Sequence, residues 1–181
     1  MLFKTGVGLA RFMTITLMES GIVMNKAIVL GTGPGLLDPR TWDADAEDRF
    51  RIGVNRSFDM LWAPIGVTAD ERFWENEPGE VMRHAPVKWL YREHFPKAPY
   101  WTKGNSGAFG LWVAKEMGFR DIRLAGFGGK GHFYGTDDGD RTELNRKLHI
   151  GIMELSTEGC HISGPLPPVP DKILYRRVRA I

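Results

Sequence analysis

The chain has 181 residues, with 24 Lys and Arg against 22 Asp and Glu, one cysteine, 22 glycines and 43% hydrophobic residues. That composition excludes a disordered chain, a collagen and a disulfide scaffold, and fits one globular domain. A net charge of +2, with basic and acidic residues interleaved, does not by itself mark a nucleic-acid binder, and only Lys172 to Arg179 is locally basic.

The lone Cys160 allows no internal disulfide and reads as a small buried hydrophobe in a strand, which fits a reducing compartment. No stretch approaches the ~18 apolar residues a bilayer crossing needs, and the N-terminus lacks a signal peptide's apolar core and cleavage site, so a cytoplasmic location is expected. Residues 1–24 read as an N-terminal extension: upstream sequence, an expression artefact or a partner-binding helix. Residues 25–181 read as a single domain with a Pro-rich, basic tail.

Regular punctuation begins at Lys26. The apolar run Ala27 to Leu30 predicts a buried strand entering the glycine loop Gly31-Thr32-Gly33-Pro34-Gly35. Arg51 to Asn55 predicts a second strand, followed by a turn or short helix over Arg56 to Trp62. Ile65 to Ala69 predicts a third strand that stops at Asp70, and Val87 to Tyr91 a fourth. Prolines at 64, 78, 86, 96 and 99 exclude long helices between them.

Ser106 to Met117 predicts the clearest helix, capped by Ser106, with Phe109, Trp112, Val113 and Met117 on one face and Gly118 as its stop. A strand over Asp121 to Ala125 then ends at Gly126. Arg141 to Thr157 predicts a second helix with the stripe Leu144, Leu148, Ile152 and Leu155, and Cys160 to Ser163 a last strand. Strands alternating with amphipathic helices predict an α/β, Rossmann-like three-layer sandwich around a mainly parallel sheet. In such folds ligands bind beyond the carboxyl ends of the strands, where Gly31, Asn55, Asp70 and Gly126 fall.

Gly31 to Gly35 lets backbone amides approach an anion and is a candidate nucleotide cradle, or a plain turn after a strand. It is neither the dinucleotide fingerprint nor a P-loop, because the third glycine is one residue early and no Lys-Ser/Thr follows. Ser106-Gly107 opens a helix whose free N–H groups favour phosphate, and Asn105 adds an amide that can read a base or ribose; simple capping is the alternative. In the long polar segment Gly126 to Asp140, His132 and Tyr134 are candidates for acid, base or phosphate-binding roles. Asp138 and Asp140 match a D-x-D metal signature, with Asp137 beside them, and read otherwise as a solvated turn favouring the next helix's dipole. The six tryptophans are too dispersed to show a stacking platform, and most read as core residues or lids.

Two stretches together carry a resemblance. KAIVLGTGPGLLD with RIGVNRSF and TADERFW, and then GNSGAFGLWVAKEMGFRDIRLAGFGG, resemble the bacterial sialyltransferases that complete lipooligosaccharides, over about residues 26–135. A related pattern occurs in archaeal 6-hydroxymethylpterin diphosphokinase-like proteins and in bacteriophage proteins. The resemblance implies nucleotide contacts at Gly31, Gly33, Pro34, Asn55, Asn105, Ser106, Gly107 and Gly126, and a phosphate-binding tyrosine near Tyr134. The chain departs from that pattern: Gly35 replaces the loop serine, Gly128 stands where the family has Asp, and Asp140 or Arg141 stands where it keeps a catalytic histidine.

The expectation is therefore a transferase of glycosyltransferase-like type that takes a nucleotide or nucleotide-sugar, of CMP type, without an essential divalent metal. Lys130 and Tyr134 would offset charge on the leaving phosphate, while His132 or an Asp such as Asp140 would deprotonate the acceptor. The acceptor is open between a glycan and a DNA base, and a homo-oligomer is allowed. Two alternatives stand beside this: an ATP- and Mg²⁺-dependent diphosphotransferase with metal at Asp138 and Asp140, and a non-catalytic phage-type binding or assembly module.

Overall fold

A computed structural model of the chain describes residues 25–37, 44–76, 86–127 and 142–166. Its six strands are β1 (Lys26–Leu30), β2 (Phe50–Val54), β3 (Ile65–Thr68), β4 (Lys88–Tyr91), β5 (Asp121–Ala125) and β6 (His161–Ser163). All pairings in the sheet are parallel, in the order β4-β3-β2-β1-β5-β6. The α/β parallel-sheet architecture expected from the alternation of elements is thus present. Its helices are α1 (Ala44–Glu47), α2 (Glu71–Asn76), α3 (Ser106–Glu116) and α4 (Thr142–Thr157), with short 3-10 turns at Pro34–Leu37, Asn55–Asp59, Arg92–His94 and Tyr100–Thr102.

Both faces are covered at the centre of the sheet, so β1, β2 and β3 are buried at successive positions rather than alternating. Along β1, Ala27 and Val29 join the larger core with α3 and α4, while Ile28 and Leu30 join a smaller cluster with Leu36, Ala46, Phe58, Ala63 and Ala125. Gly110 seats α3 across three strands: a Cβ added there would meet Val29 at 2.8 Å, Val67 at 3.4 Å and Val54 at 3.5 Å.

Four local readings are corrected. Helix α3 is not amphipathic; every residue from Ser106 to Ala114 is buried, because sheet, α4 and the preceding loop enclose it. Its cap is Asn105 rather than Ser106: the Asn105 side chain accepts from the Ala108 N–H at 3.0 Å. On α4, Leu148 and Leu155 are buried, but Leu144 in the first turn is 41% exposed. Asn55 is not the last residue of β2; it turns out of the strand with φ +47°. Cys160 is buried as expected, immediately before β6.

Buried Arg92 organises the loop between β4 and α3. Its guanidinium donates to the carbonyls of Phe95 and Ala98 at 3.2 and 2.9 Å and to the Thr102 hydroxyl. At the opposite, amino-terminal edge of the sheet, Arg49 donates to Asp45 at 2.8 Å and Asp121 at 2.9 Å, and Lys26 reaches Asp45 at 2.7 Å. The hydrogen bonds from Lys26 and Arg49 lower Asp45 to a pKa of about 2. Burial pushes Asp121 upward, but Arg49 and His161 outweigh it and leave it below its ordinary range.

Both carboxylates are depressed in the folded chain, so their stabilisation is complete above their unfolded-state pKa near 3.8 and is lost below it, in the case of Asp45 as the pH falls through about 2. We expect the melting midpoint to fall steeply across that window, and Arg49→Met to show a flatter acid limb with a lower midpoint at neutral pH. Midpoints measured by circular dichroism against pH check this; parallel acid limbs in the two proteins would contradict it.

Candidate functional site

Since all the strands run the same way, one edge of the sheet collects Gly31, Asn55, Ala69 and Gly126. Helix α3 runs back against the strands, so its first turn arrives at that edge too. The chain moves outward from β1 through β4 and then returns to place β5 on the other side of β1. Strands β1 and β5 therefore flank the topological switch point, where α/β sheets open a crevice.

The backbone is tightly stitched there. The Gly31 N–H donates to the Ala125 carbonyl and the Gly33 N–H to the Gly126 carbonyl, both at 2.7 Å. A Cβ on Gly31 would lie 2.6 Å from the Gly126 oxygen, and one on Gly126 would lie 2.8 Å from the Gly31 oxygen. The reading of the Gly31–Gly35 amides as an anion cradle is corrected at two positions: the Gly31 and Gly33 amides are spent on β5, and Pro34 has none to give. Gly35 is open, with nothing within 4 Å of an added Cβ.

At the start of α3 the side chains serve the fold. Asn105 caps the helix with its oxygen and donates through its nitrogen to the Leu144 carbonyl at 2.6 Å, fastening α4 to α3. The Ser106 hydroxyl accepts from the Ala69 N–H at 2.8 Å, anchoring α3 to the end of β3. The N–H groups of Ser106 and Gly107 have no intrahelical acceptor, as at any helix start, and carry the positive end of the helix dipole. An added Cβ on Gly107 would lie 2.3 Å from the Phe127 ring, and one on Gly31 would lie 3.0 Å from it, so this ring bridges helix start and glycine loop. Asp70 caps α2, its oxygen accepting from the Arg72 and Phe73 amides at 3.0 and 3.3 Å.

Asn55 is different. Its left-handed backbone turns the side chain at the carboxyl end of β2, and its Oδ1 is buried with no hydrogen-bond partner. Ser57 Oγ, two residues on, is also buried and unpartnered. A buried acceptor left unmade costs about 1–3 kcal/mol, so natural chains keep few of them. The strand-end position of Asn55 was legible in the sequence; the orphaned acceptors, and Ser57 as a candidate, were not, because they depend on how the 3-10 turn folds back.

Lys130, His132, Tyr134, Asp137, Asp138 and Asp140 lie outside the described residues. Among the described residues no group of three or more His, Cys, Asp or Glu side chains is placed to hold a metal ion, and no helix is long and apolar enough to cross a membrane. No family model, curated protein or solved structure matches this chain.

Proposed function

We propose that the chain binds a nucleotide or nucleotide-sugar along the carboxyl edge of β1, β2 and β5 and transfers a glycosyl-type group from it. The observation that carries the binding half is the buried, unpaired Asn55 Oδ1 held at that edge by a left-handed backbone. An unpaired acceptor calls for a donor, which a ribose hydroxyl or an exocyclic amine supplies and an ionised phosphate does not. The phosphate is assigned to the N–H groups of Ser106 and Gly107, which have no intrahelical acceptor, and to the dipole of α3.

The transfer half rests on the resemblance of residues 26–135 to the sialyltransferase-like and pterin-diphosphokinase-like superfamily. It assigns the chemistry to the segment after Phe127, with Tyr134 and Lys130 opposing charge on the leaving phosphate and His132 or Asp140 acting as base.

A thermal-shift panel of CMP, CDP, UDP, GDP, ATP and a CMP-sugar, each with and without Mg²⁺ or Mn²⁺, tests this. A ligand of the folded state at a hundredfold excess over its Kd adds about 2.7 kcal/mol, worth roughly 5–10 °C for a chain of this size. A metal-independent rise with cytidine nucleotides is expected. A rise confined to ATP with Mg²⁺ would replace glycosyl transfer by diphosphate transfer, and a flat panel would overturn nucleotide binding.

A further inference from the structure

Ser57 shares the condition of Asn55. The 3-10 turn Asn55–Asp59 leaves the carboxyl end of β2 and folds back over it, so that a Cβ added to Gly53 would lie 2.9 Å from Ser57 Oγ. The turn is pinned, because the Ser57 carbonyl accepts from the Met60 and Leu61 amides at 3.1 and 3.0 Å. Ser57 is 0% exposed, yet its hydroxyl, like Asn55 Oδ1, has no hydrogen-bond partner among the described residues. The two orphans therefore do not satisfy each other. Each one costs stability, and the fold holds both on one fixed turn.

A group that serves both must donate to Asn55 Oδ1, which only accepts, and accept from the Ser57 hydroxyl. A phosphate or a ring carbonyl only accepts, and an exocyclic amine only donates and leaves the Ser57 proton unspent. A hydroxyl does both through one atom, and a base edge with an amine beside a ring nitrogen does both through two. Position chooses between them. Ser106, whose N–H is assigned the phosphate, is anchored by its hydroxyl to the Ala69 N–H at the end of β3. Strand β2 pairs with β3, about 4.8 Å away. The sugar is the part of a nucleotide joined directly to the phosphate, so the sugar comes to the end of β2 before the base does.

We propose that Asn55 Oδ1 and Ser57 Oγ together bind a ribose hydroxyl, which donates to the amide oxygen and accepts from the serine. Ser57 is then a specificity-determining residue, and the site takes ribonucleotides over deoxyribonucleotides; this rests on nucleotide binding at the carboxyl edge. Both atoms are shielded from solvent, so the two side chains turn about χ1 to meet the sugar while the pinned backbone keeps them in place.

Titration calorimetry of the full chain with CMP, 2′-deoxy-CMP, 3′-deoxy-CMP and UMP in metal-free buffer tests this. Wild type is expected to bind CMP saturably and at least one deoxy analogue about tenfold more weakly, because a site built to hydrogen-bond a hydroxyl rejects the analogue that lacks it. Ser57→Ala is expected to weaken CMP about tenfold and to leave that analogue's affinity where it was. Its melting midpoint without ligand should stay at or above that of the wild type, since the change removes an orphaned hydroxyl. Equal wild-type affinity for CMP and both deoxy analogues, undiminished discrimination in Ser57→Ala, or a lower midpoint in that variant would overturn the ribose contact and leave nucleotide binding standing. Weakened UMP with both deoxy analogues bound like CMP would overturn it in favour of a base edge. No binding of any of the four to the wild type would overturn both the ribose contact and the nucleotide site.

Discussion

Replacing Asn55 by glycine is expected to leave the fold at least as stable as the wild type while abolishing nucleotide binding. Glycine adopts φ +47° without the steric cost an L side chain carries there, and the change deletes the buried, unpaired Oδ1. Relief of the orphaned acceptor is worth about 1–3 kcal/mol. The greater freedom of glycine in the unfolded chain opposes it by about 0.5–1 kcal/mol. A net gain of about 1 kcal/mol raises the midpoint of a chain this long by roughly 2–4 °C. Thermal unfolding of both proteins without ligand checks this. A fall in midpoint would show that the amide serves the fold rather than a ligand.

The second large effect belongs to Gly126. Its φ of +73° and the 2.8 Å separation from the Gly31 oxygen act against any side chain, and Leu36 Cβ lies 2.9 Å away on the same side. These neighbours are backbone or the root of a side chain and cannot swing aside as the ring of Phe127 can at Gly107. Gly126→Ala therefore combines a left-handed penalty of about 1–2 kcal/mol with overpacking of about 1–3 kcal/mol, for a loss of about 3 kcal/mol. It also pries β5 from β1 at the switch point, breaking the bonds from the Gly31 and Gly33 amides. Denaturant unfolding should show a lower midpoint with an unchanged slope, whereas Gly35→Ala, in open space, should change little. Equal stability of the two variants would contradict this account of the loop.

The sheet was legible because β1, β2, β3 and β5 are short, largely apolar runs that end at or near Gly, Asn or Asp, and parallel strands buried on both faces carry that signal. The strand over Asp121–Ala125 needed no revision. Side-chain duties were less legible. Whether Gly31 and Gly33 turn their amides toward a ligand or toward β5 depends on a register between segments some ninety residues apart, Leu30 opposite Ala125, which no local pattern encodes. Asn105 and Ser106 have the residue types of a nucleotide site and of a helix start alike, and contacts to Leu144 and Ala69 decide what they do in the fold. His132, Tyr134, Asp138 and Asp140, the candidates for chemistry and metal, fall outside the described residues.

The claim that joins these observations is that the carboxyl edge around Asn55 is a nucleotide site. Titration calorimetry of the wild-type chain and of Asn55→Gly with CMP, in metal-free buffer, tests it most directly. Saturable one-site binding is expected for the wild type and none for the folded variant. Identical binding isotherms for the two proteins, or no heat from the wild type, would contradict it.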